Sequence, residues 1–203
     1  MRSQYVINEV LIRPTESISI NLASSKYYDG RSIKDSLENI ESAELWISTI
    51  ASELEFFSPF CISETELNRL RRLRSHVLLL FSARVEEDDT EVRQAARALA
   101  DDLNEWNNLP TISELLFSVD FESKLYGTVN VVAAIAMSAL LTATGKNGRR
   151  LRRCQAQNCV LFYTQGNKNQ RWCSDTCGNR FRVMKCSQRH KRKRDPAFDS
   201  TES

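Results

Sequence analysis

The chain has 203 residues, of which 41% are hydrophobic and 27% charged, a composition typical of a soluble globular protein with one large or two modest domains. Its net charge of +2 is unevenly distributed. Residues 1–145 contain 13 basic and 22 acidic side chains, whereas residues 146–203 contain 15 and 4, giving net charges of −9 and +11. This division predicts two modules with different partners, the basic one suited to a polyanion. The first residues lack the apolar core of a signal peptide, so we expect a cytoplasmic location.

The first third of the chain is predicted to combine short strands with a helix. Residues 5–12 are rich in β-branched side chains, and residues 18–22 alternate between apolar and polar, so both segments are predicted to be strands. The Tyr-Asp-Gly sequence at residues 28–30 is a turn signal. Apolar residues at helical spacing predict a helix from Ser42.

Two longer helices are predicted next. A leucine-rich stripe indicates a helix over residues 65–85, and we interpret the arginines on its outer face as a solvated surface. These arginines are Arg69, Arg71, Arg72 and Arg74. Acidic residues 86–89 form a predicted loop, Thr90 is a predicted N-cap, and apolar spacing extends the second helix to Trp106. Residues 115–121 alternate and are predicted to form a strand.

Residues 126–145 contain no charged side chain, and their number is close to the ~20 residues that a membrane span needs. Because polar residues interrupt the stretch and alanine is frequent, we interpret it as a buried central helix. The charge changes sign at residues 145–148 (Gly-Lys-Asn-Gly), where we place the domain boundary. The predicted organisation is an N-terminal domain over residues 1–146, a C-terminal module over residues 147–194 and a disordered tail over residues 195–203.

Four cysteines form two close pairs in the basic module, Cys154-x4-Cys159 and Cys173-x3-Cys177, with thirteen residues between the pairs. Zn²⁺ prefers four thiolates at tetrahedral corners, and two short clips joined by a hairpin can supply them. The sequence therefore predicts one zinc ion per chain, bound by these four residues.

The elements around the cysteines predict a treble-clef-like finger. Residues 160–163 and 170–172 are predicted strands joined by a turn, and a helix is predicted over residues 174–193 with Cys177 in its first turn. The predicted fold class is α+β: a mostly helical N-terminal domain with a small sheet, followed by this zinc finger. Metal binding would supply folding energy that the core of so small a module lacks.

Seven of the ten residues from 185 to 194 are Lys, Arg or His, so we expect the last helix to bind a nucleic acid. The candidate nucleic-acid-binding residues are Arg171, Arg180, Arg182, Lys185, Arg189 and Lys193. For Arg180, stacking on Trp172 is an alternative to contact with a phosphate. Asn179 is interpreted as a structural residue that hydrogen-bonds nearby backbone.

The sequences Leu-Arg-Arg-Cys at 151–154, Arg-Trp-Cys-Ser at 171–174 and Cys-Gly-Asn-Arg at 177–180 resemble the CGNR zinc finger. This resemblance implies membership of a bacterial family of stress-responsive transcription regulators, in which an ABATE-type domain precedes the finger. It also implies a cytoplasmic DNA-binding protein. The second cysteine pair departs from the family pattern, because three residues rather than four separate its members.

Two functional hypotheses remain from the sequence. In the first, the finger binds DNA, and the N-terminal domain senses a small-molecule effector or mediates assembly. A homodimer is one possible assembly. In the second, the finger is a zinc-stabilised module that binds RNA or a protein. An enzyme is disfavoured, because a closed four-thiolate site leaves no open coordination position and no P-loop or metalloprotease motif is present. No membrane partner is expected.

Overall fold

The computed structural model describes residues 4–53, 62–105 and 128–194. Within these ranges the chain forms six short strands and seven helices. In chain order they are β1 (Tyr5–Ile7), β2 (Val10–Ile12), α1 (Ile18–Ala23), β3 (Lys26–Tyr28), β4 (Ile33–Asp35), α2 (Ile40–Glu53), α3 (Glu64–Val85), α4 (Asp89–Glu105), α5 (Thr128–Ala143), α6 (Gly145–Gly148), β5 (Leu151–Arg153), β6 (Phe162–Thr164) and α7 (Asp175–Arg194). The fold is α+β, as predicted, with helices predominating.

The small sheets are three separate antiparallel hairpins, β1–β2, β3–β4 and β5–β6. The first divides the predicted strand over residues 5–12 in two, because Asn8 and Glu9 adopt φ angles of 49° and 64° and reverse the chain between Ile7 and Val10. Two consecutive residues at positive φ are the geometry that matches the twist of a tight hairpin. The predicted turn at residues 28–30 lies at the end of β3, in the connection to β4.

The strand predicted over residues 18–22 is wrong, since this segment is helix α1. Ser17 caps the helix by accepting a hydrogen bond from the Ile20 backbone N–H. All residues from Ser19 to Ala23 are buried, so the apolar–polar alternation does not separate a core face from a solvent face. Apolar–polar alternation does not distinguish a strand from a helix in this segment, because polar as well as apolar side chains of the short helix are buried.

Helices α3 and α4, the two longest helices before the zinc finger, pack against each other. The predicted helix over residues 65–85 is confirmed as α3, which begins with a capping box between Ser63 and Glu66. The cap of α4 is Asp88 rather than the predicted Thr90, because the Asp88 carboxylate accepts hydrogen bonds from the N–H groups of Thr90 and Glu91 at 2.9 and 3.0 Å. Aspartate at this position satisfies free amides and favours the helix dipole.

The interpretation of the α3 arginines as a solvated face is wrong for Arg74, which is buried. Its guanidinium forms two hydrogen bonds with the Asp35 carboxylate, at 2.5 and 2.9 Å, and thereby ties α3 to β4. Arg71 donates to the carbonyl oxygens of Leu37 and Glu38. The positive charges on this helix therefore join elements of the N-terminal region.

The uncharged stretch forms helix α5, which packs against α1, α3 and α4. None of the helices within the described ranges is long and apolar enough to cross a membrane. Helix α5 ends at Ala143, and the one-turn helix α6 begins at Gly145, whose φ of 57° favours glycine. The strand predicted over residues 115–121, Cys61 and the predicted tail over residues 195–203 lie outside the described residues.

Candidate metal centre

The first two cysteines lie in a tight loop between the paired strands β5 and β6. The Cys154 N–H donates to the Leu161 carbonyl at 2.9 Å, and the Cys159 N–H donates to the Ala156 carbonyl at 3.0 Å. Asn158 adopts a φ of 62°, a left-handed conformation that asparagine tolerates well. This loop turns both sulfur atoms to the same side.

The predicted pairing of residues 160–163 with residues 170–172 is wrong. Strand β6 pairs with β5, with Leu151 opposite Thr164 and Arg153 opposite Phe162. The metal-binding loop itself closes the hairpin, so the two strands that flank it become neighbours. Residues 170–172 instead form a connection, in which the Arg171 carbonyl accepts a hydrogen bond from the Gln155 N–H at 3.2 Å.

The second pair of cysteines lies at the start of α7, as predicted. Cys173 precedes the helix and Cys177 is in its first turn. The Ser174 hydroxyl accepts a hydrogen bond from the Cys177 N–H at 3.3 Å, and the Ser174 carbonyl accepts one from the Gly178 N–H at 3.1 Å. The positive end of the helix dipole lies beside the Cys177 sulfur and favours its thiolate.

The four cysteine Sγ atoms all lie within 4.8 Å of one another. Cys159 is 3.8 Å from both Cys173 and Cys177, and Cys173 is 3.5 Å from Cys177. A zinc ion with four Zn–S bonds of about 2.3 Å needs sulfur atoms about 3.8 Å apart. The residues therefore fit a tetrahedral zinc ion, and they form a single zinc site, which confirms the predicted cofactor.

The four thiols differ in acidity because they are hydrogen-bonded to one another. Bonds with Cys159, Cys173 and Cys177 lower the pKa of Cys154. The bond with Cys154 raises the pKa of both Cys159 and Cys173. The bond with Cys154 also raises the pKa of Cys177, but bonds with Cys159 and Cys173 lower it to about 7 overall. A divalent cation would allow all four to ionise together, since metal binding displaces the thiol protons.

Groups around the sulfur atoms hold them in place. The Cys173 N–H donates to the Cys154 sulfur at 3.4 Å, and three of the four cysteines are buried while Cys159 is half-buried. Trp172 packs on Phe181 with ring centroids 5.4 Å apart. The indole also covers Gly178, where an added Cβ would lie 3.3 Å from the ring. The glycine of the Cys-Gly-Asn-Arg sequence therefore makes room for Trp172.

The zinc finger is docked on the helical domain through shared apolar contacts. Leu151 and Phe162, from β5 and β6, belong to the same buried cluster as the helices α1 to α5. Phe162 meets Phe81 of α3 edge to face, with ring centroids 5.7 Å apart. On the other side, Leu11 and Tyr27 pack with the cysteines. The finger and the domain thus share core residues.

A buried ion pair reinforces this contact. Arg13, which is 1% exposed, donates hydrogen bonds to the Glu16 carboxylate at 3.2 Å and to the Phe162 carbonyl of the finger. The Glu16 carboxylate in turn accepts from the Thr164 N–H at 3.1 Å. Burial raises the pKa of Glu16, against the opposing effects of Arg13 and Thr164. Sequence reasoning missed this pair, because nothing at residues 13–16 distinguishes it from an ordinary surface pair.

The structure separates the candidate nucleic-acid-binding residues into groups. Arg182, Lys185 and Arg189 lie on one exposed face of α7, and Lys193 is in its last turn. Arg171 is exposed in the connection before Cys173. Arg180 is apart from them, with its guanidinium carbon 4.8 Å from the centre of the Tyr28 ring. It therefore stacks on Tyr28 rather than on Trp172.

Asn179 also differs from expectation. Its side chain is exposed and accepts a hydrogen bond from the Arg182 guanidinium, rather than bonding nearby backbone. This contact joins two residues one turn apart on α7 and orients Arg182 at the base of the basic face. Cys186 is exposed on the same helix and is not among the clustered sulfur atoms.

Comparison with known proteins bears on the finger alone. No curated protein matches the chain. A match to a family model covers the hairpin, all four cysteines and most of α7, and does not reach the domain predicted to be of the ABATE type. Residues 150–191 match the family described as the CGNR zinc finger, which confirms the resemblance found in the sequence.

Proposed function

We propose that this protein is a zinc-dependent DNA-binding protein that regulates transcription, and that α7 is its DNA-binding element. The observation that carries the proposal is the exposure of a long basic helix whose first turn is fixed by the zinc site. From Lys185 to His190 every side chain is exposed, and the helix continues to Arg194. Because the side chains from Lys185 to His190 are exposed, the charge on this part of the helix is free to meet a partner.

The dimensions of α7 suit duplex DNA. The ten residues from 185 to 194 rise about 15 Å along the helix axis. A major groove about 12 Å wide accepts one α-helix. Because the first two turns are held by the cysteines and by Trp172, the exposed part would be presented at a fixed angle, which reduces the entropy lost on binding.

Four of the basic residues of α7 lie on one face of the helix. Arg182, Lys185, Arg189 and Lys193 are spaced by three or four residues, so they share a face of the helix. Asp175 is the only acidic residue of the helix. Arginine and lysine side chains in this arrangement contact phosphate oxygens on both sides of a groove and release condensed counterions. Arg171, exposed before Cys173, is proposed to contribute a further phosphate contact.

The proposal is tested by measuring the affinity of the full zinc-loaded chain for a labelled random-sequence duplex across a salt series. Each phosphate contact adds about 0.9 to the slope of log affinity against log salt. The double variant Lys185→Gln, Arg189→Gln should therefore reduce the slope by roughly 2. The matched control is Arg93→Gln, Arg97→Gln, which removes two exposed arginines from α4 and should leave the slope unchanged.

Selection of bound duplex sequences from a random pool then tests sequence-specific regulation. Enrichment of a common motif supports a transcription regulator. If the wild-type protein has no DNA affinity at low salt, or if both double variants reduce the slope equally, the proposal is wrong. Binding of single-stranded RNA or of an acidic protein by the same helix would then be the better explanation.

A further inference from the structure

A cleft of about 570 Å³ lies between the N-terminal hairpins and the zinc finger. Its walls come from β1–β2, from β3–β4 and from the first two turns of α7, and Cys159 and Cys177 also line it. The volume falls within the range of about 300–1,000 Å³ that is typical of small-molecule sites. The cleft is separate from the exposed basic face of α7.

Arg180 borders this cleft with an unsatisfied donor. Its guanidinium stacks on Tyr28, but the Nη1 nitrogen is buried and has no hydrogen-bond partner among the described residues. A buried guanidinium nitrogen without a partner costs free energy that a ligand can recover. A carboxylate is the group that matches a guanidinium best, because it accepts two parallel hydrogen bonds.

The acidic side chains of the cleft do not supply that partner. Glu9 pairs with Lys34 at 3.8 Å. Asp29 accepts hydrogen bonds from the backbone N–H groups of Arg31 and Ser32 at 2.7 and 2.8 Å, which lower its pKa. Among the charged side chains that line the cleft, Arg180 has neither an ion pair nor a hydrogen bond to an acidic group in the described structure. A ligand carboxylate can therefore pair with Arg180 without displacing an existing ion pair.

The remaining walls are aromatic and aliphatic. Tyr5, Tyr27 and Tyr28 line the cleft together with Leu11 and Leu161. The Tyr27 hydroxyl donates a hydrogen bond to the Glu9 carbonyl at 2.9 Å, which fixes the position of the ring. Fixed aromatic rings favour a planar ligand, which stacks at low entropic cost.

A second buried atom without a hydrogen-bond partner further restricts the class of ligand. The Gln4 side-chain oxygen is buried without a hydrogen-bond partner, and Gln4 lines the same cleft. A ligand with a donor on its ring would satisfy this oxygen while its carboxylate meets Arg180. We propose that the cleft binds a small hydroxylated aromatic carboxylate, whose carboxylate pairs with Arg180 and whose hydroxyl donates to Gln4.

Binding of such a ligand would connect the two parts of the chain. Arg180 is in the second turn of α7, and Tyr28 belongs to β3. A carboxylate that engages Arg180 changes the charge and the contacts at the base of the basic helix. A ligand bound at this site would thus regulate the finger. Binding of the ligand itself does not depend on whether α7 contacts DNA.

The test is calorimetric titration of the full zinc-loaded chain with 4-hydroxybenzoate, with benzoate and benzylamine as comparison probes. We expect 4-hydroxybenzoate to bind one per chain, benzoate to bind more weakly and the cation benzylamine not to bind. Arg180→Gln should weaken 4-hydroxybenzoate roughly tenfold or more, because a charge-assisted pair is lost. Gln4→Leu should remove the advantage of 4-hydroxybenzoate over benzoate and leave the affinity for benzoate unchanged.

Arg93→Gln, which removes an exposed arginine from α4, is the matched control and should not alter the titration. Zinc content of one per chain in every variant shows that the finger is folded. Absence of binding to the wild-type chain overturns the proposal. So does an equal loss in Arg180→Gln and Arg93→Gln, or binding of benzylamine as tight as that of benzoate. Because no DNA is present, these outcomes are independent of the proposed DNA binding.

Discussion

The helical domain and the zinc finger reach stability by different routes. The domain buries large apolar side chains from α1 to α5, including Trp46, Phe81 and Leu67. The cluster around the metal site is small, and three of its buried members are cysteines. Apolar burial contributes about 25 cal/mol per Å², so the domain can fold by this effect, whereas the finger needs its metal.

The finger also shares buried contacts with the domain, so we expect it to be less stable alone, even with zinc. Leu151 and Phe162 bury their side chains in the core of the domain, and the Arg13 guanidinium reaches the Phe162 carbonyl. A fragment of the finger alone would expose these apolar residues. Metal binding and docking on the domain therefore both stabilise the finger, and each can be removed by a separate substitution.

The largest expected effect comes from removing the metal. Structural zinc contributes roughly 10–16 kcal/mol of apparent binding free energy to small fingers. Cys173→Ser, or treatment with a strong chelator, should therefore unfold residues 150–191, while α1 to α5 retain their core. We expect loss of bound zinc and a red shift of Trp172 fluorescence, with most far-UV helical signal kept.

Cys186→Ser is the control for this experiment, because Cys186 is exposed and outside the cluster. It should bind one zinc per chain and show the wild-type fluorescence. If Cys173→Ser instead abolishes the helical signal of the whole chain, the domain depends on the finger and the contrast between the two regions is wrong.

A smaller effect is expected from breaking the buried ion pair at the contact. Arg13→Met leaves the Glu16 carboxylate buried beside Thr164 without its cation, and breaking such a pair costs about 3–5 kcal/mol. The double variant Arg13→Met, Glu16→Gln should recover part of this loss, because the glutamine oxygen can still accept from the Thr164 N–H. With the single variant Glu16→Gln and the wild type, these proteins form a double-mutant cycle, and chemical denaturation of all four measures the coupling.

The zinc affinity of the same proteins tests whether docking on the helical domain stabilises the finger. If docking supports the finger, Arg13→Met should release zinc to a chelator faster than the wild type, and the double variant should be intermediate. Equal stability of Arg13→Met and the double variant would show that Arg13 does not act through Glu16, leaving its hydrogen bonds to the Phe162 carbonyl and to Ser24.

The sequence predicted the metal site well because its signal is local. The ligand set follows from the spacing of Cys154, Cys159, Cys173 and Cys177, and the helix that follows is marked by its N-terminal residues. The leucine stripe of α3 was equally readable, since one face of that helix is buried and the other is not.

What the sequence could not predict depends on contacts between distant residues. The β5–β6 pairing arises from closure of the metal-binding loop, whereas composition favoured residues 170–172. Helix α1 is buried from Ser19 to Ala23, so the apolar–polar alternation of its sequence does not mark a solvent face. Two contacts join residues about 150 positions apart, Arg13 with Phe162 and Arg180 with Tyr28. No local sequence pattern predicts them.

The smallest expected effect concerns acid stability of the helical domain. Burial tends to raise the pKa of Asp35, but hydrogen bonds from Arg74 and from the Leu37 N–H outweigh it and hold the pKa below its ordinary value of 3.8. A carboxyl with a lowered pKa stabilises the folded state above pH 3.8, and this contribution is lost as the pH falls through the folded-state pKa. Asp35→Asn should therefore lower stability by about 1.5–3 kcal/mol at pH 7 and by less near pH 3.

The finger should respond to acid earlier than the domain, because protons compete with zinc for the four thiolates. On acidification, zinc release and the change in Trp172 fluorescence should precede loss of the helical signal in the wild type. Asp35→Asn should bring the second transition closer to the first without moving the first, whereas Asp101→Asn, an exposed residue of α4, should move neither. A single transition in the wild type, with zinc and helical signal lost at the same pH, would mean that the docked finger and the domain unfold as one cooperative unit.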